Sequence, residues 1–262
     1  MTEFITKKSL GQHWLHDEAV LREISASAQV GQDDTVLEIG PGLGTLTKIL
    51  VTQAKQVIAV EFDPILASTL ADRVSSPKLA VTQQDILSFD LTSLPAGYKV
   101  VANIPYYLTS NLLRVLCESS HPFSQAALLM QKEVAERVAA APGSMSILSV
   151  SVQFYCEVSL GMVVPAELFT PPPKVDSQVL MLSFRQQPLY ADVDNKLFFR
   201  IVRAGFSQKR KTLLNSLSAG LTLSKEETLS LLAQAQIVPG RRAQTLNLGE
   251  WYALYTTVQR SN

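Results

Sequence analysis

The chain has little cysteine, little histidine and no excess of either charge. Its 262 residues include two cysteines and three histidines. Cys117 and Cys156 stand in apolar stretches with no Cys/His cluster beside them. That excludes a disulfide framework or a zinc-type site as the organising feature, and both are expected as reduced core residues. Lysine plus arginine and aspartate plus glutamate number 23 each. Bulk charge therefore says nothing for nucleic acid or membrane, and any such surface must come from local clustering. No apolar run reaches the ~20 residues that span a bilayer. The opening Met-Thr-Glu-Phe-Ile-Thr-Lys-Lys carries no apolar signal core, so a cytoplasmic protein is expected. No exposed apolar stripe stands out, so a monomer is expected. There is no internal repeat and no low-complexity segment. What the chain does have is hydrophobic material, 47% of it, enough for one large domain and a small one.

One stretch organises the rest. Residues 36–46 read Val-Leu-Glu-Ile-Gly-Pro-Gly-Leu-Gly-Thr-Leu. An apolar run passes Glu38 and enters a turn with glycine at 40, 42 and 44. Thr45–Gln53 follows with Leu46, Ile49 and Leu50 at helical spacing. This predicts strand, tight turn, helix. Glycine admits positive φ and lets a ligand lie on bare backbone. The first N–H groups of the helix point at that ligand. The spacing is tighter than the G-x-G-x-x-G of a pyrophosphate site. A carboxylate at Glu38 would repel a pyrophosphate and suits a cationic or hydroxyl-rich ligand; S-adenosylmethionine is both. A glycine-rich structural turn is the competing reading of the loop alone.

A second strand, Val57–Glu61, ends in an acid roughly 20 residues past the glycines. Nucleotide-binding α/β folds place a carboxylate there, against ribose hydroxyls. Asp63 and Pro64 then open a helix as N-cap and first-turn residue. Glu61 is accordingly read as a ribose ligand in preference to a helix-start acid. Leu79–Thr82 is a short third strand before Gln84-Asp85. Asp85 either accepts from an adenine amino group or simply ends the turn. Lys99–Asn103 is a fourth strand and Ala126–Met130 a fifth, with helices from about Thr109 and over Lys132–Ala140. The alternation from residue 36 to about 140 argues a doubly wound parallel sheet. Ligands in such sheets bind beyond the carboxyl ends of the strands. Gly40, Glu61, Asp85 and Asn103 all fall at such ends. Upstream, Asp17–Gln29 reads as a helix. Before it lies a polar, basic arm with Lys7, Lys8 and the apolar anchors Trp14 and Leu15. It is either a flexible tail or an arm folded over the cofactor.

The chemistry is carried by Asn103-Ile104-Pro105-Tyr106. The exocyclic amine of adenine is a poor nucleophile, because its lone pair is delocalised into the ring. Acceptors for its two N–H groups draw the nitrogen toward tetrahedral geometry and free that pair. The Asn103 side-chain oxygen and the Ile104 backbone carbonyl are the two candidates. Pro105 fixes the turn and brings no competing donor. Tyr106 offers a flat face for an extruded base, and Phe169 is a candidate for its other side.

Past Pro142-Gly143 come an apolar helix and strands around Val158–Val164 and Val175–Phe184. A stiff loop, Pro165–Lys174, joins the strands and presents Phe169. From Asp192 the spacing turns helical. It runs through Leu197, Phe198, Ile201 and Val202, then Leu213, Leu214 and Leu217, and then Ser224–Ala235 and Asn247–Val258. Ser224 and Glu227 form a capping box. A boundary near residue 187 divides the chain into 1–187 and 188–262. Arg200, Arg203, Lys209-Arg210-Lys211 and Arg241-Arg242 cluster in the second part. They are either a solvated face of small helices or, with Lys7 and Lys8, a phosphate-binding wall.

Glu38-Ile-Gly-Pro-Gly-Leu-Gly44, Glu61, Gln84-Asp85, Asn103-Ile-Pro-Tyr106 and Phe169-Thr-Pro-Pro-Pro-Lys-Val175 together resemble the ribosomal RNA adenine N6-dimethyltransferase family. Gly11-Gln12-His13-Trp14-Leu15 and Phe206-Ser-Gln-Lys-Arg-Lys-Thr-Leu213 resemble its small-subunit branch. The resemblance spans nearly the whole chain. It implies an α/β fold, a Rossmann-like class I methyltransferase sheet with a small C-terminal all-helical, RNA-binding domain. It implies S-adenosylmethionine as cofactor and no metal. The implied reaction places two methyls on each of two adjacent adenines in the 3′-terminal hairpin loop of small-subunit (16S) rRNA, in the 30S particle or its precursor. The implied cofactor contacts are His13, Leu15, Gly40, Glu61, Asp85 and Asn103. The implied base contacts are Asn103, Tyr106 and Phe169. Where the family often has Asn-Phe this chain has His13-Trp14; His and Asn both offer a hydrogen bond, so the site is kept. Two other readings stand beside this one. An adenine methyltransferase on large-subunit rRNA is argued against by the motif near Phe206. A ribosome-assembly or transcription factor with a dispensable methylase has no need of an intact Asn103–Tyr106.

Overall fold

A computed structural model describes residues 12–190 and 192–261; Lys7, Lys8 and Gly11 lie outside the described residues. The chain runs β1 (Trp14–Leu15), α1 (Glu18–Ser27), β2 (Thr35–Ile39), α2 (Thr45–Gln53), β3 (Gln56–Glu61), α3 (Pro64–Arg73), β4 (Leu79–Gln83), β5 (Lys99–Asn103), α4 (Thr109–Glu118), β6 (Gln125–Gln131) and α5 (Lys132–Val138). It continues with α6 (Ile147–Tyr155), β7 (Cys156–Val164), β8 (Phe169–Thr170), β9 (Ser177–Phe184), α7 (Asn195–Phe206), α8 (Leu213–Leu221), α9 (Lys225–Gln234) and α10 (Leu248–Ser261).

Continuous apolar runs make strands buried on both faces, as parallel sheets require. In β2, β5 and β6 the central residues are all buried. The seven-stranded sheet has the order β4-β3-β2-β5-β6-β9-β7. Strands β2 to β6 all pair in parallel, which is the doubly wound region expected over residues 36 to 140. Beyond them β9 runs antiparallel to both β6 and β7. The direction of strand addition reverses between β2 and β5, and a crevice opens there at the carboxyl ends. Gly40 follows β2 and Asn103 ends β5, so both stand at that crevice.

Asp63 caps its helix as the sequence predicts, and Asp17, read as the first residue of a helix, caps another. Asp17 Oδ1 accepts from Val20 N at 3.0 Å, and Asp63 Oδ1 from Ile65 N at 2.9 Å. One apolar layer joins α1 and α2 to the sheet through Ile24, Leu50, Val57, Val101 and Leu129, all buried. Each such side chain stabilises the fold by about 1.5–3 kcal/mol relative to exposure. Cys117 and Cys156 are buried and unbridged, with sulfurs 3.9 Å apart.

The chain separates into two compact units. One runs to Glu136 and resumes over Cys156–Phe184; the other takes Arg137–Tyr155 and everything from Arg185. The second return lies close to the expected boundary near residue 187. The helix α6, placed with the first part by sequence order, packs with the C-terminal helices instead. The reason is aromatic: Phe154 contacts Phe198 and Phe199 at 4.7 and 5.5 Å between ring centres. That helical unit is closed around buried Trp251, Leu254 and Tyr255. Its α9 begins with the predicted capping box, Ser224 Oγ accepting from Glu227 N and Glu227 Oε2 from Ser224 N. Among the described residues no helix is long and apolar enough to cross a membrane.

Candidate active site

The glycine turn after β2 forms one wall of a cavity at the crevice. Gly40 has φ +66°, and nothing lies within 4 Å of where a Cβ would be. Gly42 has φ +56°, and a Cβ there would come within 2.6 Å of the Trp14 ring. One glycine thus keeps space open over the backbone, and the other admits the indole of the arm. Gly42 N donates to Glu61 Oε2 at 3.0 Å, and Asp63 N donates to Oε1 at 2.9 Å. Arg73 Nη2 donates to the Gly42 carbonyl at 3.0 Å. The turn is therefore held by both its N–H and its C=O. Burial raises the Glu61 carboxyl above its usual range, against the pull of the two backbone donors. A carboxylate has about four acceptor positions, so those left over suit a pair of hydroxyls.

Glu38 lies beneath the turn, 1% exposed. Neither carboxyl oxygen makes a hydrogen bond of ordinary geometry. Burial pushes its pKa up to about 8; the nearby Thr47 hydroxyl opposes this and the Glu61 carboxylate adds to it. A buried unpartnered acid disfavours its own charge, and a cation nearby restores it. An acid at Glu38, a second at the end of β3 and open space above Gly40 fit a positively charged nucleoside. That is the ligand class inferred from the sequence.

The opposite wall is Asn103–Tyr106. Ile104 N donates to the Leu129 carbonyl at 2.9 Å, fixing the chain at the end of β5. Asn103 Nδ2 donates to the His13 carbonyl at 3.4 Å. That contact engages the amide nitrogen and leaves Oδ1 as the acceptor for an amine. Tyr106 is half-buried, and its Oη lies 2.8 Å from Ser177 Oγ. The His13 ring stacks on it at 5.8 Å and 24°. His13 Nδ1 sits 2.6 Å from the Pro171 carbonyl. A carbonyl only accepts, so Nδ1 carries the hydrogen.

The arm is held over the turn. Strand β1 pairs antiparallel with β8, Trp14 opposite Thr170 and Leu15 opposite Phe169. Thr45 Oγ1 donates to the Leu15 carbonyl at 3.0 Å. For residues 12–15 the folded-over reading of the arm is the one realised.

Every predicted site residue except Phe169 lines this one cavity. Asp85 is exposed; its Oδ1 accepts from Leu87 N at 3.0 Å, so it ends the turn and faces the cavity at once. Phe169 is a correction. Its ring is 3% exposed and packs in the core with Leu15, Val164 and Val179. In the β1–β8 pair it stands opposite Leu15 and does not line the cavity. Among the basic residues, Arg200, Arg203, Lys209, Arg210, Lys211 and Arg242 are exposed. Arg241, by contrast, is engaged by Glu250 and the Thr245 carbonyl. Sequence reasoning missed Ser177, Arg73 and the fit of Trp14 over Gly42. Ser177 alone left a trace, as the polar first residue of an apolar strand.

Comparison with known proteins agrees with this geometry. Residues 3–259 match a family model described as ribosomal RNA adenine dimethylase. The chain is 42% identical over 252 residues to ribosomal RNA small subunit methyltransferase A of Dehalococcoides mccartyi, covering 95% of this chain and 87% of that one. A crystal structure of a dimethyladenosine transferase from Plasmodium falciparum is similar at 28% identity and TM-score 0.81, covering 95% and 98% of the two chains. The 23S rRNA methyltransferase ErmE is similar at 27% identity and TM-score 0.75, covering 94% and 99%.

Proposed function

The chain belongs to the ribosomal RNA adenine dimethylase family, and from that premise we propose that it dimethylates N6 of two adjacent adenines in the 3′-terminal hairpin loop of small-subunit rRNA. The enzyme is an S-adenosylmethionine-dependent methyltransferase. The small-subunit substrate is favoured over the large by the 42% identity to a small-subunit methyltransferase over 95% of this chain, together with the motif near Phe206. The carrying observation is the fixed amide of Asn103 in the same cavity as Glu61.

Bound S-adenosylmethionine supplies an electrophilic methyl on a sulfonium. Glu61 takes the ribose hydroxyls, Asp85 the adenine amine, and Glu38 the positive end. Gly40 and Leu15 supply backbone and an apolar wall, and His13 closes the site from the arm. In the first transfer Asn103 Oδ1 and the Ile104 carbonyl accept from the two N–H groups of the target amine and free its lone pair; in the second, one of them accepts from the single N–H that remains. Pro105 keeps donors away from that pair. Tyr106 carries the base on its ring. The methylated amine then sheds its proton to solvent, so no strong base is required. Positioning and exclusion of water supply the acceleration.

The exposed cations of the helical unit, Lys209, Arg210 and Lys211 first among them, contact rRNA phosphates. The substrate is a 30S particle or its precursor, and the enzyme works as a cytoplasmic monomer.

Single-turnover methylation of unmodified 30S particles at saturating cofactor tests this reading. Asn103→Ala loses methyl transfer by orders of magnitude while still docking. Tyr106→Phe keeps the stacking face and loses only about threefold to fivefold, the size of one neutral hydrogen bond. Tyr106→Ala falls roughly tenfold to a hundredfold below it, since stacking contributes about 1–3 kcal/mol per base. Near-normal turnover in Asn103→Ala would return the motif to a structural turn.

A further inference from the structure

Tyr106 is restrained at three places. Thr109 Oγ1 donates to its backbone carbonyl at 3.1 Å. The His13 ring covers one face. Its hydroxyl, at the far end of the ring, meets Ser177 Oγ at 2.8 Å. The third restraint is the stiffest. Ser177 is fully buried and opens β9. Its backbone is paired on both sides, with Gln131 of β6 and Val164 of β7. The residue before it is also held: the Asp176 carbonyl accepts from Lys132 N at 3.0 Å, and Asp176 Oδ1 accepts from Ala166 N at 3.1 Å. The sheet fixes the Cα of Ser177, and only a χ1 rotation inside a buried site is left to its hydroxyl.

We infer that Ser177 is a positioning residue for methyl transfer: its hydroxyl fixes the far end of the Tyr106 ring and so sets the plane on which the target adenine rests. The inference rests on Tyr106 being the base platform. A tyrosine held only at Cβ turns about two side-chain torsions. Tethering the hydroxyl removes that freedom before the base arrives, and a misplacement of about 1 Å in a reacting group is enough to cost rate. Burial and the Asp176 carboxylate both keep the phenol protonated, opposed by the Ser177 hydrogen bond. The contact is therefore one between two neutral hydroxyls. Phenylalanine supplies the same stacking face with no tether, which separates the two roles.

The test is a double-mutant cycle in single-turnover methylation, with cofactor affinity measured by calorimetry on the same proteins. Ser177→Ala and Tyr106→Phe should each lower the rate about threefold to fivefold, the size of one neutral hydrogen bond. Ser177→Ala/Tyr106→Phe should be no slower than either single variant, because each removes the same contact. Ser177→Thr, which keeps a hydroxyl, should restore the parental rate. Cofactor affinity should stay within about twofold throughout. Ser177→Cys fills the same space with a weak partner and should behave as Ser177→Ala, which covers the case where alanine fails to fold. A double variant slowed by the product of the single effects would overturn the inference, since Ser177 would then act on the fold and not through Tyr106. A parental rate in both Ser177→Ala and Ser177→Cys would overturn it too. The platform reading fails separately: Tyr106→Ala at the parental rate removes the premise. Tyr106→Ala far below Tyr106→Phe, with multiplicative Ser177 effects, removes only the tether.

Discussion

In the sheet unit Gly40 faces open space, with nothing within 4 Å of the point where a side chain would begin. In the helical unit Gly205 faces the Trp251 ring, 2.5 Å from the corresponding point. One acid from each unit shows the same contrast. Glu250 is held by Arg241, which lowers its pKa, whereas Glu38 makes no hydrogen bond of ordinary geometry and its pKa is raised by burial. A packed interior fills its gaps and pairs its charges. Where a fold leaves both a gap and a buried acid open on one cavity, the missing partner is a ligand. The helical unit has exceptions of its own, Trp251 Nε1 and Ser216 Oγ among them, but these are neutral groups in a closed core and not a buried acid on an open cavity.

The comparison breaks first if Glu61 is dispensable. Glu61→Ala removes a charged acceptor from the ribose hydroxyls, worth about 1.5–3 kcal/mol. Cofactor affinity should fall roughly tenfold to a hundredfold in titration calorimetry. Because Glu61 also holds Gly42 N, Glu61→Gln separates the two roles: it keeps one acceptor oxygen and should lose less than alanine. Unchanged affinity in both variants would take Glu61 out of the site.

Adding one methyl at each of the two glycines sharpens the contrast. Gly205→Ala drives a Cβ into a fully buried ring, and such overpacking costs about 1–3 kcal/mol. Its melting temperature should drop by several degrees while cofactor affinity holds. Gly40→Ala meets no atom. It should lose some stability to its positive φ and most of its cofactor affinity. If both variants lost only stability, Gly40 would be a structural turn residue.

That difference is half legible in the sequence. The glycine spacing, the acids at strand ends and the Asp63 and Ser224 caps are local signals, written within four residues of what they control. The parallel strands announce themselves as unbroken apolar runs. The pairing of β1 with β8 is not legible, because a two-residue strand has no period and its partner lies more than 150 residues away. Phe169 misleads for the same reason. A proline-flanked aromatic in a loop looks exposed until the arm is known to cover it. The split of α6 from its sequence neighbours is equally hidden, since a helix does not record which core its aromatic face joins.

A smaller effect is expected at the helical unit's surface, where Lys209, Arg210 and Lys211 are replaced together by alanine. For every phosphate that the triple variant no longer neutralises, the logarithmic salt dependence of RNA binding should flatten by about 0.7–0.9. Affinity for 30S particles should fall by about tenfold at low salt through the same counterion effect, with cofactor binding unmoved. A parental salt slope would make these cations a solvated face.

The last effect is read as a slope in pH and tests the buried acid itself. Glu38 titrates at about 8 in the folded protein against 4.5 for an ordinary glutamate. Between those values the native state keeps a proton that the unfolded chain has released. The stability Glu38 contributes is therefore complete below about pH 4.5 and is lost as pH rises through about 8. Glu61, also raised by burial, adds a slope of the same sign. Glu38→Gln is neutral throughout, so the variant should lose less stability than the parent between about pH 5 and 8 and retain only the remaining slope. Urea midpoints across that range, without cofactor, measure the difference. With cofactor present the parent's slope should shrink as well, because a cation beside Glu38 favours its ionised form and makes binding release a proton. That release appears in calorimetry as a heat that varies with the ionisation enthalpy of the buffer, and it should vanish in Glu38→Gln. Parallel stability curves for parent and variant, together with buffer-independent heats, would mean that Glu38 stays charged in the free protein and that the fold, not a ligand, supplies its partner.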